Sequence, residues 1–277
     1  MNPSSAADTL SALLQRHRSI RRFENRPLDE SVVDEVLAQA IAGSSSSGNL
    51  NTYSLVLSRD AERRARLHQL HFEQDMILQA PLLITFCADT RRTRDWLKLH
   101  QARDNFDNFH GFLVAAFDAM ILAQSVALGF EARGLGICYL GTTLNAAAAI
   151  AEFLELPDSV FPVTSLAVGW PAESPAPRDR LPLSAYVHQE RYQRHDDAAL
   201  QALFAERDVK GLRRYQAMGP EMAAQWQALG LNSLAQFYTS ELKYSPAVLQ
   251  ASSRDLLALL QARGFMNNAT TEQPNRP

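Results

Sequence analysis

Apolar residues recur at helical spacing from the start of the chain. Within residues 7–16, Leu10, Leu13 and Leu14 share one face. Arg26-Pro27 breaks the run, and Asp29 is placed to cap a second helix reaching about Ala42, with Val32, Val33, Val36 and Leu37 along one side. The small-residue stretch Gly43-Ser44-Ser45-Ser46-Ser47-Gly48-Asn49 then leads into strand-like Tyr53-Ser54-Leu55-Val56-Leu57. Residues 61–70 read as helix, and 82–87 as a buried strand ended by Ala88-Asp89. From Trp96 to Arg133 the pattern is largely helical, with Ala115, Ala116, Ala119, Ala123 and Ala127 small enough for close helix packing. Gly134-Leu135-Gly136 stops it, and 137–140 looks like a short strand. A helix over 145–154 precedes a strand at 163–168, closed by Gly169-Trp170-Pro171. A proline-rich segment reaches Pro182, helical patterns dominate after Asp196, and the polar residues from Asn267 on are expected to fray. No internal repeat or second-domain linker stands out. Helices and strands mix without regular βαβ alternation, so the expectation is an α+β domain.

Composition narrows the class. A chain of 277 residues with 46% hydrophobic and 21% charged residues is an ordinary globular protein. A formal charge of −3 creates no global field for nucleic acid or an anionic membrane, so neither is an expected partner. The two cysteines, Cys87 and Cys138, lie in apolar runs without zinc spacing and read as buried reduced thiols of a cytoplasmic protein. Met1 leads into Asn-Pro-Ser-Ser, so no secretory signal is expected. The apolar stretch 112–130 is interrupted by Asp118, Gln124 and Ser125, which suits a buried helix better than a membrane span.

Three features carry candidate chemistry. His17-Arg18-Ser19-Ile20-Arg21-Arg22-Phe23 concentrates cationic forks and a hydroxyl between apolar anchors. Guanidinium groups suit phosphate, and a half-buried setting makes idle charge expensive. The alternative is a solvated basic turn. The serine loop offers close backbone approach and hydroxyl donors, or is a flexible connector. In Pro177-Arg178-Asp179-Arg180-Leu181-Pro182, two arginines at alternate extended positions could clamp one phosphate, or pair with Asp179. His68 and His71 share a helix face without a ligand pattern, so no metal site is expected. Arg91-Arg92-Thr93-Arg94 reads as a solvated loop. No P-loop, Gly-x-Gly-x-x-Gly, Gly-x-Ser-x-Gly or His-Glu-x-x-His motif is present.

In order along the chain, these pieces resemble the FMN-dependent nitroreductase family. The resemblance rests on His17–Phe23 with Pro27, on Ser46-Ser47-Gly48-Asn49-Leu50-Asn51, on Gly134-Leu135-Gly136 through Tyr139-Leu140-Gly141, and on Gly169-Trp170-Pro171. Arg178-Asp179-Arg180-Leu181-Pro182 follows, most similar to the oxygen-insensitive, NADPH-dependent subfamily. Residues 10 to 193 are covered. The resemblance implies a central, mainly antiparallel sheet flanked by helices in an interlocked homodimer. It implies an FMN-binding core over 1–195, a helical C-terminal extension of the same domain over 196–266, and a disordered tail over 267–277.

It also implies roles. His17, Arg18 and Ser19 would hold the FMN phosphate and ribityl chain, and Arg21 would approach the redox edge of the ring. Arg178 and Arg180 would complete the phosphate grip, and Gln74 would hydrogen-bond the far edge of the ring. Tyr139, Leu140, Gly141 and Thr142 would line one side, while Ser45, Ser46, Ser47 and Asn49 would come from the partner subunit. Lys210, Arg213 and Arg214 are the candidates for the NADPH 2′-phosphate. The chain departs from the family in Ser45 for proline, Asn51 for glutamine and Arg178 for lysine. The largest departure is Thr142-Thr143-Leu144, where relatives show glycine, an apolar residue and arginine. The implied activity is NAD(P)H-dependent reduction of a small-molecule acceptor (a nitroaromatic, quinone or flavin) by ping-pong hydride transfer. The rival readings are a dedicated oxidase or dehalogenase on the same fold, and a non-enzymatic nucleotide-binding module.

Overall fold

The computed structural model describes residues 3–267. In chain order the helices are α1 (Pro3–Arg16), α2 (Glu30–Gly43), α3 (Ala61–Leu70), α4 (Met76–Gln79), α5 (Arg91–Leu99), α6 (Phe109–Ala132), α7 (Ala147–Phe153), α8 (Asp197–Gln216), α9 (Pro220–Ala228), α10 (Leu234–Tyr238) and α11 (Pro246–Ala262). The strands are β1 (Tyr53–Ser58), β2 (Leu82–Asp89), β3 (Gly136–Leu140) and β4 (Val160–Gly169). They form one antiparallel sheet in the order β1-β2-β4-β3, so the fold is α+β as the sequence pattern implies.

The side-chain alternation of β2 divides the core. Leu82, Ile84 and Phe86 face the cluster built by Val33, Val36 and Ala40 of α2 and by Ala119, Leu122, Ala123, Val126 and Phe130 of α6. Leu83 and Cys87 face the other cluster, with Leu67 of α3, Ile77 of α4 and Ile150 of α7. Because both faces are covered, β2 is buried along its whole length and reads as an unbroken apolar run. Both cysteines are free and buried.

Most local expectations hold. Asp29 caps α2 by accepting from Ser31 N at 2.9 Å, and Asp60 caps α3. The stretch 112–130 lies within α6, a helix long and apolar enough to cross a membrane, and its buried residues form the sheet-facing core. Several boundaries move. The helical stretch from Trp96 is two helices, α5 and α6, with α6 started by the Asn108 cap. The helix expected from Asn145 begins at Ala147, after a 3-10 segment Gly141–Ala146. The arginine cluster at 91–94 is not a loop. It opens α5, where Arg91 pairs with Asp95, Arg92 with Asp89 and Arg94 with Asp104, and Thr93 is buried. Charge periodicity concealed the helix because its carboxylate partners come partly from other segments. Of the tail expected from Asn267 onward, all but Asn267 lies outside the described residues.

The chain divides into two compact units. One holds the described residues up to Pro177 and those from Ser252 on; the other spans Arg178–Ala251. The second unit has its own small core, where Trp226 stacks on Phe237 at 4.8 Å and Tyr215 meets Phe237 at 4.2 Å.

Candidate active site

The basic stretch after α1 does not hang in solvent. Ser19 bridges Ile137 of β3 in parallel, and Ile20 N–H donates to Ile137 O at 2.9 Å. Phe23 bridges Pro171, while Glu24 N–H donates to Trp170 O at 2.9 Å. Buried Ile20 and Phe23 anchor the segment, leaving Arg21 and Arg22 exposed between them. Two glycines permit this approach. A Cβ at Gly136 would stand 2.8 Å from Ile20 Cγ1, and one at Gly169 would stand 2.9 Å from Phe23 Cδ1.

Several polar groups in the stretch have fixed neighbours. His17 Nδ1 lies 2.8 Å from Glu131 Oε1, a carboxylate at the end of α6 that is only 10% exposed. The carboxylate accepts only, so Nδ1 carries the proton and Nε2 is the ring nitrogen left for a ligand. Arg18 donates through Nε to Arg16 O and through Nη1 to Ser174 Oγ and Pro175 O, which orients its fork. The Arg21 and Arg22 N–H groups donate to Glu173 Oε1. Burial pushes the Cys138 thiol up, partly opposed by the Arg21 charge, which sets that guanidinium close to β3.

The other end of β3 carries a second polar group. Gln74 Nε2 donates to Thr142 Oγ1 at 2.8 Å and to His71 O at 3.1 Å, and His71 Nδ1 lies 2.9 Å from Thr142 Oγ1. His71 is fully buried, and burial drives its pKa down to about 4. From Ile137 to Thr142 the chain advances on the order of 15 Å. Gly141 is exposed at this end. Tyr139 packs its ring against the α6-side core, with its hydroxyl buried and without a partner among the described residues. Burial and the Glu131 carboxylate push that phenol up.

The serine loop is built elsewhere. Asp118 of α6, buried, accepts from Ser46 Oγ at 2.6 Å, Ser47 N at 3.1 Å and Thr52 Oγ1 at 2.8 Å. Ser45, Ser47 and Asn49 remain exposed, whereas the Ser46 hydroxyl is engaged by Asp118 and by Asn51 N–H. In the sequence Asp118 reads as an interruption of an apolar helix. A lone carboxylate among buried positions was the available signal for a loop anchor.

In the second unit, Arg180 Nη1 donates to the carbonyls of Arg178 and Asp179, and Asp179 pairs with Arg214 at 2.9 Å. Lys210 pairs with Glu206, and Arg213 is exposed.

In the first unit, cationic donors and a hydroxyl thus lie alongside the start of β3, and an amide–hydroxyl pair lies at its end. That donor set fits a phosphorylated heteroaromatic ligand with a polar ring edge. A model of the nitroreductase family matches residues 14–170. The chain belongs to the nitroreductase family. It is 33% identical over 192 residues to the FMN reductase (NADPH) of Bacillus subtilis strain 168, spanning 69% of this chain and 76% of that one. A Bacteroides fragilis protein of solved structure superposes with a TM-score of 0.82 at 33% identity, covering 92% of this chain and 100% of that protein. The NADPH:FMN oxidoreductase of Vibrio harveyi, solved with NAD+, superposes with a TM-score of 0.73 at 26% identity, covering 94% and 100%.

Proposed function

We propose that this nitroreductase is an FMN-dependent NAD(P)H oxidoreductase that reduces nitroaromatics, quinones or flavins in a ping-pong cycle. The observation that carries the reading is the bridge between Ser19 and Ile137, which lays the basic stretch along β3. When bound, FMN would supply the redox chemistry, two-electron exchange between NAD(P)H and a small-molecule acceptor that use the site in turn. His17 Nε2, Arg18 and Ser19 hold the phosphate and ribityl chain. Arg21 places positive charge beside the reduced ring. Leu140, Gly141 and Thr142 border the ring, and Gln74 meets its far edge. In the second unit, Arg178, Arg180, Lys210, Arg213 and Arg214 are the basic groups we assign to phosphate binding, the last three to the NADPH 2′-phosphate.

The active form in this proposal is a homodimer. Asp118 near the middle of α6 anchors the serine loop and Glu131 at its C-terminal end anchors the basic stretch, roughly 20 Å apart along the helix, too far for both to grip one end of a single cofactor. Ser45, Ser47 and Asn49 therefore serve the partner's site. Phe117, Met120 and Ile121 stand exposed on the α6 face turned away from the core, as a subunit interface requires. The two free buried thiols suit a cytoplasmic, reducing compartment.

The test is an absorbance spectrum of the purified protein, followed by anaerobic reduction with NADPH and NADH in parallel. A flavin spectrum bleached by either nucleotide, and restored by a nitroaromatic or quinone, is expected. Protein that takes up no FMN overturns the proposal.

A further inference from the structure

The polar group around Gln74 has a fixed polarity, and Thr142 helps to set it. His71 O can only accept, and Gln74 Nε2 lies 3.1 Å from it; turned over, the amide would set two acceptor oxygens against each other. The second amide hydrogen goes to Thr142 Oγ1 at 2.8 Å. Both donors of Gln74 are spent inward, which leaves its carbonyl oxygen as the pole available to a ligand. Thr142 is held in turn by the ring of His71, at 2.9 Å from Nδ1. His71 is fully buried, its Nε2 has no partner among the described residues, and burial keeps the ring neutral at ordinary pH. The protein therefore buries a polar ring with one nitrogen unsatisfied to keep this arrangement. The connecting backbone is unusual as well. Phe72 and Glu73, neither of them glycine, take φ of 58° and 56°, and this turn brings Gln74 back over His71.

We infer that Thr142 and His71 are positioning residues that lock Gln74 with its carbonyl oxygen outward, so that the site selects a ring edge bearing an N–H donor. This rests on the FMN reading, because the pyrimidine part of the flavin carries an imide N–H of that kind. With Thr142 absent, one amide hydrogen of Gln74 has no partner and the side chain is free to turn over.

The experiment titrates apo-protein with FMN and with FMN methylated at the imide nitrogen, following flavin fluorescence, for wild type, Thr142→Ser and Thr142→Val. Wild type and Thr142→Ser should prefer FMN by about tenfold or more, the scale of one directed hydrogen bond. Thr142→Val should bind the two flavins almost alike, with its unfolding midpoint showing that it is folded. Hydrogen exchange of the Gln74 side-chain amide in the apo-protein should be slow in wild type and Thr142→Ser and fast in Thr142→Val. Undiminished preference in folded Thr142→Val overturns the positioning role. Equal binding of both flavins by wild type overturns the assigned polarity while leaving FMN binding intact. Binding of neither overturns the FMN reading and this inference with it.

Discussion

Asp118 and Glu131 lie on the same helix, and each accepts hydrogen bonds from a different segment of the chain, Asp118 from Ser46 and Glu131 from His17. The helix thus sets the spacing of the two segments, and exposed Met120 and Ile121 lie between the two carboxylates in sequence. Removing the Asp118 carboxylate strands Ser46, Ser47 N–H and Thr52 in a buried setting. Asp118→Ala should lower stability by about 3 kcal/mol, and Asp118→Asn by less because the amide oxygen still accepts. Urea unfolding of both variants checks the order; equal stabilities would remove the anchor role.

The dimer proposal makes a separate demand on α6. Phe117 is 62% exposed. Phe117→Glu should shift sedimentation from dimer to monomer and lower FMN affinity at least tenfold, since each site is proposed to draw residues from both subunits. A monomeric variant that keeps full FMN affinity would show that one chain makes the whole site.

Arg21 is expected to act on redox chemistry as well as on binding. Arg21→Ala should weaken FMN retention and slow anaerobic reduction by NAD(P)H by about a hundredfold, the scale of one lost electrostatic donor. Stopped-flow reduction at saturating FMN separates the effects. Normal reduction with FMN fully bound would confine Arg21 to structure or binding.

Gly136→Ala tests how tightly the basic stretch is laid on β3. The added methyl meets Ile20 at under 3 Å, so the stretch must move. A stability loss of about 1–3 kcal/mol and weaker FMN binding are expected. Unchanged FMN titration curves would mean that the bridge tolerates displacement.

His71 predicts an acid sensitivity. Its pKa is about 4 in the folded protein against an ordinary 6.5, so the unfolded chain binds the extra proton between those values. Stability is fully present above pH 6.5, falls by about 3 kcal/mol as pH drops toward 4, and changes no further below that through this group. The urea midpoint should fall between pH 7 and pH 4.5, with a smaller fall in His71→Gln. Parallel curves for the two proteins would assign the slope to other groups.

Local signals determined much of this protein. The leucine and valine spacing of α2 and the continuous apolar run of β2 were legible because periodicity and burial act within a few residues. The Asp29 cap was equally local, and the motifs from His17 to Gly141 were sufficient to reveal the family. Partners far along the chain were not legible. Asp118 looked like a polar break in an apolar helix, Glu131 gave no signal, His71 looked like one of two histidines on a helix face, and Arg91–Arg94 like a loop. Each owes its role to a carboxylate, hydroxyl or carbonyl that is neighbouring only after folding. Asp118 meets a loop some seventy residues upstream, and Glu131 a histidine more than a hundred residues away. Burial then gives these pairings their strength, because a polar group removed from water must find its partner inside the fold. Residue types and their order therefore determined which chemistry the chain carries. The packing of α6 and β3 decided which groups meet, and left Gln74 with one pole to offer.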